Sequence, residues 1–299
     1  MLRVGTRRSP LALAQAGEIV RLLETAGIAS ELVPLATAGD AGASPTSPGP
    51  AGRKGSFVGE IVQALLAGDI DVAVHSAKDL PAQDPHGVVT AAVPERADPL
   101  DVLVTSDGAL PDGAVVGTSS LRRRTQLLRW RPDVRVEDLR GNVDTRLRRL
   151  EEGVVDGLLL AAAGISRLGL RPAHTQRLEI DLMLPAPGQG ALAVQIRTDD
   201  PPARRAILPM DHPASRTAFE AERGVVRALG ADCALPLGAY AEASGGRVRL
   251  RALVTDGSGA AARADVTGAR AADAAAAAVA ALLDAGAGPM LAAAGGGPK

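Results

Sequence analysis

Short apolar runs alternate with stretches of helical spacing through the first two thirds of the chain, the rhythm of an α/β fold. Leu2–Gly5 predicts a first strand and Thr6-Arg7-Arg8 a turn. Ser9 offers an N-cap and Pro10 suits the first helical position; Leu11, Leu13, Ile19, Leu22 and Leu23 give the helix that follows its apolar face. Glu31–Ala36 predicts a second strand, Ser56–Leu66 a helix, and Asp71–His75 a strand running into Ser76-Ala77-Lys78-Asp79-Leu80-Pro81. Asp40 to Gly55 is dense in Gly, Pro, Ser and Ala with no apolar period, which predicts a long loop acting as a lid or binding loop.

A second α/β unit begins near Pro99. Its strands are expected at Ala114–Gly117, Val134–Leu139 and Gly157–Ala161. Thr118-Ser119-Ser120 caps a helix over Leu121–Trp130, Arg140-Gly141-Asn142 turns into a helix over Val143–Glu151, and a short helix passes through Gly164–Leu168. Leu184-Pro185-Ala186-Pro187-Gly188-Gln189-Gly190 is a Pro/Gly-rich turn, after which Ala191–Ile196 returns as a strand to the first sheet. The remainder differs: a helix over Ser215–Leu229, the sole cysteine Cys233 in the next turn, a strand pair Arg247–Val254 and Ala262–Val266 around Asp256-Gly257-Ser258-Gly259, an Ala-rich helix, and a Gly-rich tail.

Composition narrows the function classes. With 33 basic and 34 acidic residues among 299, the net charge is −1, and no bulk field draws nucleic acid or an anionic membrane. Aromatic residues are 1%, too few for base-stacking platforms. One cysteine excludes an internal disulfide, and with four scattered histidines it makes no Cys-rich zinc site, so no metal is expected. No apolar stretch reaches the roughly 18–20 residues of a membrane span. Met1-Leu2-Arg3-Val4-Gly5 lacks the apolar run of a secretory signal, and a cytoplasmic protein is expected.

The chemistry is legible in positions more than in counts. Arginine recurs where a strand hands over to a helix, at Arg7, Arg122-Arg123, Arg140 with Arg146, and Arg167. Such junctions line the crevice beyond the carboxyl ends of a doubly wound sheet. Guanidinium forks there suit a ligand carrying several carboxylates or phosphates. Arg124, Arg129, Arg148 and Arg149 read instead as solvated helix faces. Asp79, beside Lys78 just past a strand end, is either a turn aspartate or an ionised carboxylate able to stabilise a cation and move protons. Cys233 is either an inert buried thiol or an accessible nucleophile, the latter needing a basic neighbour to offset Asp232. His75 reads as a packed core histidine.

Six segments in register carry a resemblance. They are Thr6-Arg7-Arg8-Ser9-Pro10-Leu11-Ala12, Val74-His75-Ser76-Ala77-Lys78-Asp79-Leu80-Pro81, Gly117-Thr118-Ser119-Ser120-Leu121-Arg122-Arg123, Arg140-Gly141-Asn142-Val143-Asp144-Thr145-Arg146-Leu147, Leu184-Pro185-Ala186-Pro187-Gly188-Gln189-Gly190-Ala191, and Glu222-Arg223 with Cys233-Ala234-Leu235-Pro236. From about residue 3 to about residue 255 the sequence resembles the porphobilinogen deaminase (hydroxymethylbilane synthase) family. The resemblance implies two doubly wound, solute-binding-protein-like α/β domains plus a smaller α+β C-terminal domain. Domain 1 spans 1–95 and 191–208, domain 2 spans 99–185, and domain 3 spans 212–299. It implies a monomeric transferase of tetrapyrrole biosynthesis that joins four porphobilinogen molecules head to tail, releases ammonia and yields hydroxymethylbilane. A dipyrromethane cofactor is implied, held by a thioether to Cys233, with Asp79 as the catalytic group. Cofactor contacts fall on Lys78, Ser76, Thr118, Ser119, Ser120, Arg122, Arg123 and Arg146; substrate contacts fall on Arg7, Ser9, Arg140, Arg167 and Gln189. Each porphobilinogen brings an acetate and a propionate, which matches the crowd of arginines. One departure stands out: Ala231-Asp232 precedes the cysteine where many relatives have Gly-Gly.

Two other readings compete. Two α/β lobes around an anion is also the plan of a non-catalytic solute-binding protein; the missing signal and the place of Cys233 speak against it. Nucleic-acid binding through the basic 122–131 stretch runs against the net charge and the scarcity of aromatics.

Overall fold

The computed structural model describes residues 1–36, 55–230, 235–256 and 259–293. The loop expected over 40–55 lies, except for its last residue, outside the described residues, as do Cys233, the Gly257-Ser258 tip and the C-terminal tail. The first elements are β1 (Leu2–Arg7), α1 (Pro10–Thr25), β2 (Ser30–Leu35), α2 (Gly55–Ala67), β3 (Val72–Ser76), β4 (Val88–Ala92), β5 (Asp101–Thr105), β6 (Val115–Gly117), α3 (Leu121–Trp130), β7 (Arg135–Glu137) and α4 (Val143–Glu151). There follow β8 (Gly157–Ala161), α5 (Ala162–Arg167), β9 (His174–Arg177), β10 (Leu192–Arg197), α6 (Pro201–Ile207), α7 (Pro213–Ala228), β11 (Leu237–Ser244), β12 (Arg247–Thr255), β13 (Ala261–Gly268), α8 (Ala271–Asp284) and α9 (Ala287–Ala293). These elements form two compact units, Met1–Arg96 with Ala191–Arg216, and Ala97–Gly190 with Thr217–Lys299.

The first unit is a five-stranded sheet in the order β2-β1-β3-β10-β4. β1 runs parallel to β2 and β3, while β10 is antiparallel to β3 and β4. Strand alternation sends Val4, Val72, Val74, Leu192, Val194 and Ile196 to one face, where Ala16, Ile19 and Leu23 of α1 cover them. α1 begins as its sequence signals require: the Ser9 hydroxyl accepts from the Ala12 N–H and Pro10 opens the helix.

The second unit contains a sheet of the same plan, β7-β6-β8-β5-β9, with β6 parallel to β7 and β8 and β5 antiparallel to β8 and β9. In both sheets three parallel strands are followed by one antiparallel strand and a last edge strand. In the first sheet the antiparallel strand enters late in the chain (β10); in the second it enters early (β5). Ala191–Ile196 thus does return to the first sheet, within β10. The same unit holds a three-stranded antiparallel meander, β11-β12-β13, packed on α7, α8 and α9 through Ala221, Val225, Leu229, Leu250, Ala252, Ala278, Leu282 and Leu291. The chain is therefore two α/β sheets with a smaller α+β portion. No single helix among the described residues is long and apolar enough to cross a membrane.

Glycine is required where the Pro/Gly-rich turn closes. Gly190 has φ +84°, and a Cβ there would lie 2.5 Å from the Ala97 carbonyl oxygen and 3.1 Å from that of Asp98. Gly153 also has positive φ, but faces open space. Gly190→Ala is expected to cost about 3 kcal/mol and Gly153→Ala only about 1 kcal/mol, since the first adds a backbone clash to the left-handed strain both share. Urea unfolding followed by circular dichroism measures the difference; equal costs would refute the close approach.

Candidate functional site

In the first unit, adjacent parallel strands deliver the expected residues to one sheet edge. β1 and β3 pair in parallel, so their carboxyl ends, Arg7 and Ser76, emerge together. Ser9 caps α1 one step past the first. A single 3-10 turn, Ala77–Asp79, follows the second and sets Lys78 and Asp79 half-buried there. The Gln15 amide on α1 donates to the Ser76 hydroxyl at 2.7 Å, tying the turn to the helix. The Thr6 hydroxyl donates to the Val74 carbonyl at 3.3 Å, tying β1 to β3. Arg7, which the sequence assigns to a turn, is the last residue of the strand.

His75 is a buried core histidine, 7% exposed, with Nε2 lacking a hydrogen-bond partner among the described residues. Burial pushes its pKa down to about 4, partly opposed by the charges of Asp79 and Asp84. It is therefore a neutral imidazole behind the Asp79 turn.

In the second unit the same logic holds. β6 lies between parallel neighbours β7 and β8, so the segments after all three emerge at one edge. They are Thr118, Ser119 and Ser120, then Arg140, then α5 ending in Arg167. The Ser120 hydroxyl accepts from the Arg123 N–H, capping α3. Arg140 is solvent-exposed beside Asp138. Arg146 donates to the Gly141 carbonyl at 2.9 Å, and its pKa is lowered first by burial and next by the charge of Arg123. Two guanidinium groups repelling one another favour an anion in their neighbourhood. Arg124, Arg129, Arg148 and Arg149 are exposed, as their helix faces predict.

The structure also reveals a buried cluster that the sequence does not advertise. Asp101, fully buried at the start of β5, accepts from Arg122 Nη1 at 2.7 Å and from Arg123 Nε and Nη2 at 2.9 and 2.8 Å. Gln189 Nε2 donates to the same carboxylate at 2.9 Å and to the Pro99 carbonyl at 2.8 Å. Burial alone would raise the Asp101 pKa, but the charges and hydrogen bonds of the two arginines hold it well below the usual carboxylate range. Arg122 also donates to the Leu184 carbonyl and Arg123 to that of Leu159. Arg122 and Arg123, expected at the cofactor, are 4% and 6% exposed, Gln189, expected at the substrate, is 1% exposed, and all three face this carboxylate. Sequence reasoning missed Asp101 because it assigned no strand to Asp101–Thr105 and because the partners of Asp101 stand 21, 22 and 88 residues away. Among the described residues no group of three or more His, Cys, Asp or Glu is placed to hold a metal.

The chain matches "Porphobilinogen deaminase, dipyromethane cofactor binding domain" over residues 2–205 and "Porphobilinogen deaminase, C-terminal domain" over residues 217–284. It is 47% identical over 265 residues to the porphobilinogen deaminase of Rubrobacter xylanophilus, covering 87% of this chain and 86% of that one. It is 44% identical over 299 residues to that of Roseiflexus castenholzii, covering 97% and 98%. It is 46% identical over 273 residues to that of Thermus thermophilus, covering 89% of each. Among solved structures it is similar to an ABC transporter periplasmic substrate-binding protein from Coxiella burnetii, at TM-score 0.41 and 16% identity over 72% of this chain and 94% of that one.

His75 makes stability depend on acid. The unfolded chain binds its proton near pH 6.5, the folded protein only near 4, so stability falls as pH drops through that window. The loss is expected to reach about 3 kcal/mol by pH 4, and His75→Gln to flatten that part of the curve. Urea midpoints at pH 7, 5.5 and 4.5 check this; identical slopes for both proteins would contradict it.

Proposed function

This chain belongs to the porphobilinogen deaminase family and serves tetrapyrrole biosynthesis, and from that premise we propose residue roles in which Asp79 is the catalytic group and Cys233 the anchor of the cofactor. Domain 2–205 is of the dipyrromethane cofactor-binding type; we assign the covalent link, a thioether, to Cys233, the sole cysteine. The transferase reaction is the stepwise head-to-tail condensation of four porphobilinogen molecules to hydroxymethylbilane with loss of ammonia.

The observation that carries the roles in the first unit is the gathering of Asp79, Lys78, Ser76, Arg7 and Ser9 at the carboxyl edge of one sheet. Positive charge develops on a pyrrole nitrogen as ammonia leaves and again when the next ring attacks. A fixed carboxylate at Asp79 stabilises that charge and accepts and returns the proton. Neutral His75 behind it adds no competing cation. Arg7 and Ser9 offer donors to a substrate carboxylate, as do Arg140 and Arg167 in the second unit.

The residues present fit a carboxylate-bearing cofactor. Arg122, Arg123 and Asp101 together carry one net positive charge, and Arg146 adds another that Arg123 repels. When bound, dipyrromethane supplies the pyrrole carbon to which the first porphobilinogen is joined. In the second unit Thr118, Ser119, Ser120 and Arg146 would hold its acetate and propionate groups. Arg122, Arg123 and Gln189 stand behind that surface, turned onto Asp101 and neighbouring carbonyls.

Three further readings belong to this proposal. The second unit comprises two domains, 99–185 and 212–299. The protein works as a monomer in the cytoplasm on a small-molecule substrate, with neither nucleic acid nor membrane as partner. The loop over 40–55 serves as a lid.

Intact-mass measurement of the purified protein is expected to show an excess equal to one dipyrromethane, lost in Cys233→Ser. A wild-type protein without the adduct overturns the assignment. Asp79→Ala is expected to keep the adduct and lose at least about a hundredfold in turnover. Turnover within about tenfold of wild type removes Asp79 from its role.

A further inference from the structure

Two buried acidic side chains of the second unit meet on one short turn. On one side, Asp101 grips Arg122 and Arg123, and through Gln189 it grips the turn Leu184–Gly190 as well. Arg122 donates to the Leu184 carbonyl at 2.8 Å, and Gln126, also on α3, exchanges two hydrogen bonds with the Leu184 backbone at 3.0 and 2.7 Å. On the other side stands Glu222, fully buried in α7. Its carboxylate accepts from the Gly188 N–H at 2.6 Å and from the Ala241 N–H of β11 at 2.8 Å. α7 and β11 are the elements on either side of Cys233 in the chain. The Pro185 carbonyl in the same turn accepts from the Ala239 N–H of β11 at 3.0 Å. The path from the arginine pair to the elements flanking the cysteine is thus continuous: Arg122 and Arg123, Asp101, Gln189, Gly188, Glu222.

Such an arrangement is costly unless each member is satisfied, because a buried carboxylate without its donors keeps the full desolvation penalty. It also has few alternative geometries. A guanidinium held by Asp101 at two atoms and by a carbonyl at a third has little rotational freedom left.

We propose that Asp101 and Gln189 are positioning residues of the condensation: they fix the orientation of the arginine pair and, through the turn held by Glu222, hold that pair in register with α7 and β11, the elements that flank Cys233 in the chain. This rests on the reading of Cys233 and of the dipyrromethane site given above. It separates Gln189 from the substrate: its amide acts on Asp101 and on the turn. Porphobilinogen does not touch it.

The test uses the full-length protein in three forms: wild type, Asp101→Asn and Gln189→Leu. Asn keeps the shape and one acceptor but removes the charge opposing two arginines. Leu removes the amide donor and leaves both arginines paired. Each is checked for fold by circular dichroism, then for adduct by intact mass, then for kcat and KM with porphobilinogen. Asp101→Asn is expected to be folded and largely without adduct. Gln189→Leu is expected to carry the adduct with kcat lowered between about ten- and a hundredfold and KM within about twofold of wild type. A fully loaded Asp101→Asn with wild-type kcat overturns the proposal. So does a Gln189→Leu in which KM rises and kcat stays, the signature of a substrate contact. If Asp101→Asn does not fold, the kcat and KM split of Gln189→Leu decides alone. A wild-type protein without adduct sinks the cofactor reading itself, a result distinct from either failure.

Discussion

A carboxylate with no exposed surface, facing two arginines, is the constraint from which the second unit is organised. Removing Asp101 from water is expensive, and its attraction to Arg122 and Arg123 offsets that cost only because several donors converge on its two oxygens. Breaking such a pair from one side costs about 3–5 kcal/mol, since the partner is left charged and buried. The same arithmetic explains why the cluster sits where β5, α3 and the Leu184–Gly190 turn converge. Each element supplies one part of the shell, and none alone satisfies the charge.

The sheets solve a different problem, that of bringing distant sequence to one edge. Parallel strands all end at the same side, so each strand-to-helix junction falls beside the next. In the first unit this places Arg7 and Ser9 next to Ser76, Lys78 and Asp79, some seventy positions further along. In the second it places the Thr118–Ser120 segment beside those leading to Arg140 and Arg167. The antiparallel strand in each sheet does not disturb this edge, because it joins on the far side of the third parallel strand.

Legibility in the sequence followed the range of the interactions. α1, α3 and α4 were readable because Ser9, Ser120 and Asn142 punctuate them locally. The parallel strands β1, β3, β6 and β8 stood out as short apolar runs between helical stretches. β4, β5, β9 and β11 did not: Val88–Ala92 and Leu237–Ser244 are rich in small residues, Asp101–Thr105 is a five-residue run opened by a charge, and His174–Arg177 is polar and exposed throughout. Such strands are fixed by pairing with neighbours far off in the chain, which no local pattern encodes. The site divided in the same way. Junction arginines announced themselves by position, whereas the inward turn of Arg122 and Gln189 depends on Asp101, whose strand carries no polar alternation to mark it.

This division bears on how a nearly neutral chain handles a strongly anionic reactant. Overall charge is −1, so affinity for a growing polycarboxylate has to come from local segregation. Many arginines are neutralised on the surface by nearby acids, as Arg131 is by Asp133, Arg249 by Asp265 and Arg270 by Asp273. Around Asp101 the bookkeeping is deliberately unequal, with two guanidinium groups to one carboxylate and a third, Arg146, close enough to feel Arg123. The surplus is tolerated in a dry environment because the single carboxylate fixes both arginines before any ligand arrives. A surplus held by flexible lysines would have to be ordered at each binding event, at the expense of affinity. Preorganised excess charge of this kind suits a reaction in which the bound anion gains carboxylates at every step while the protein around it stays the same.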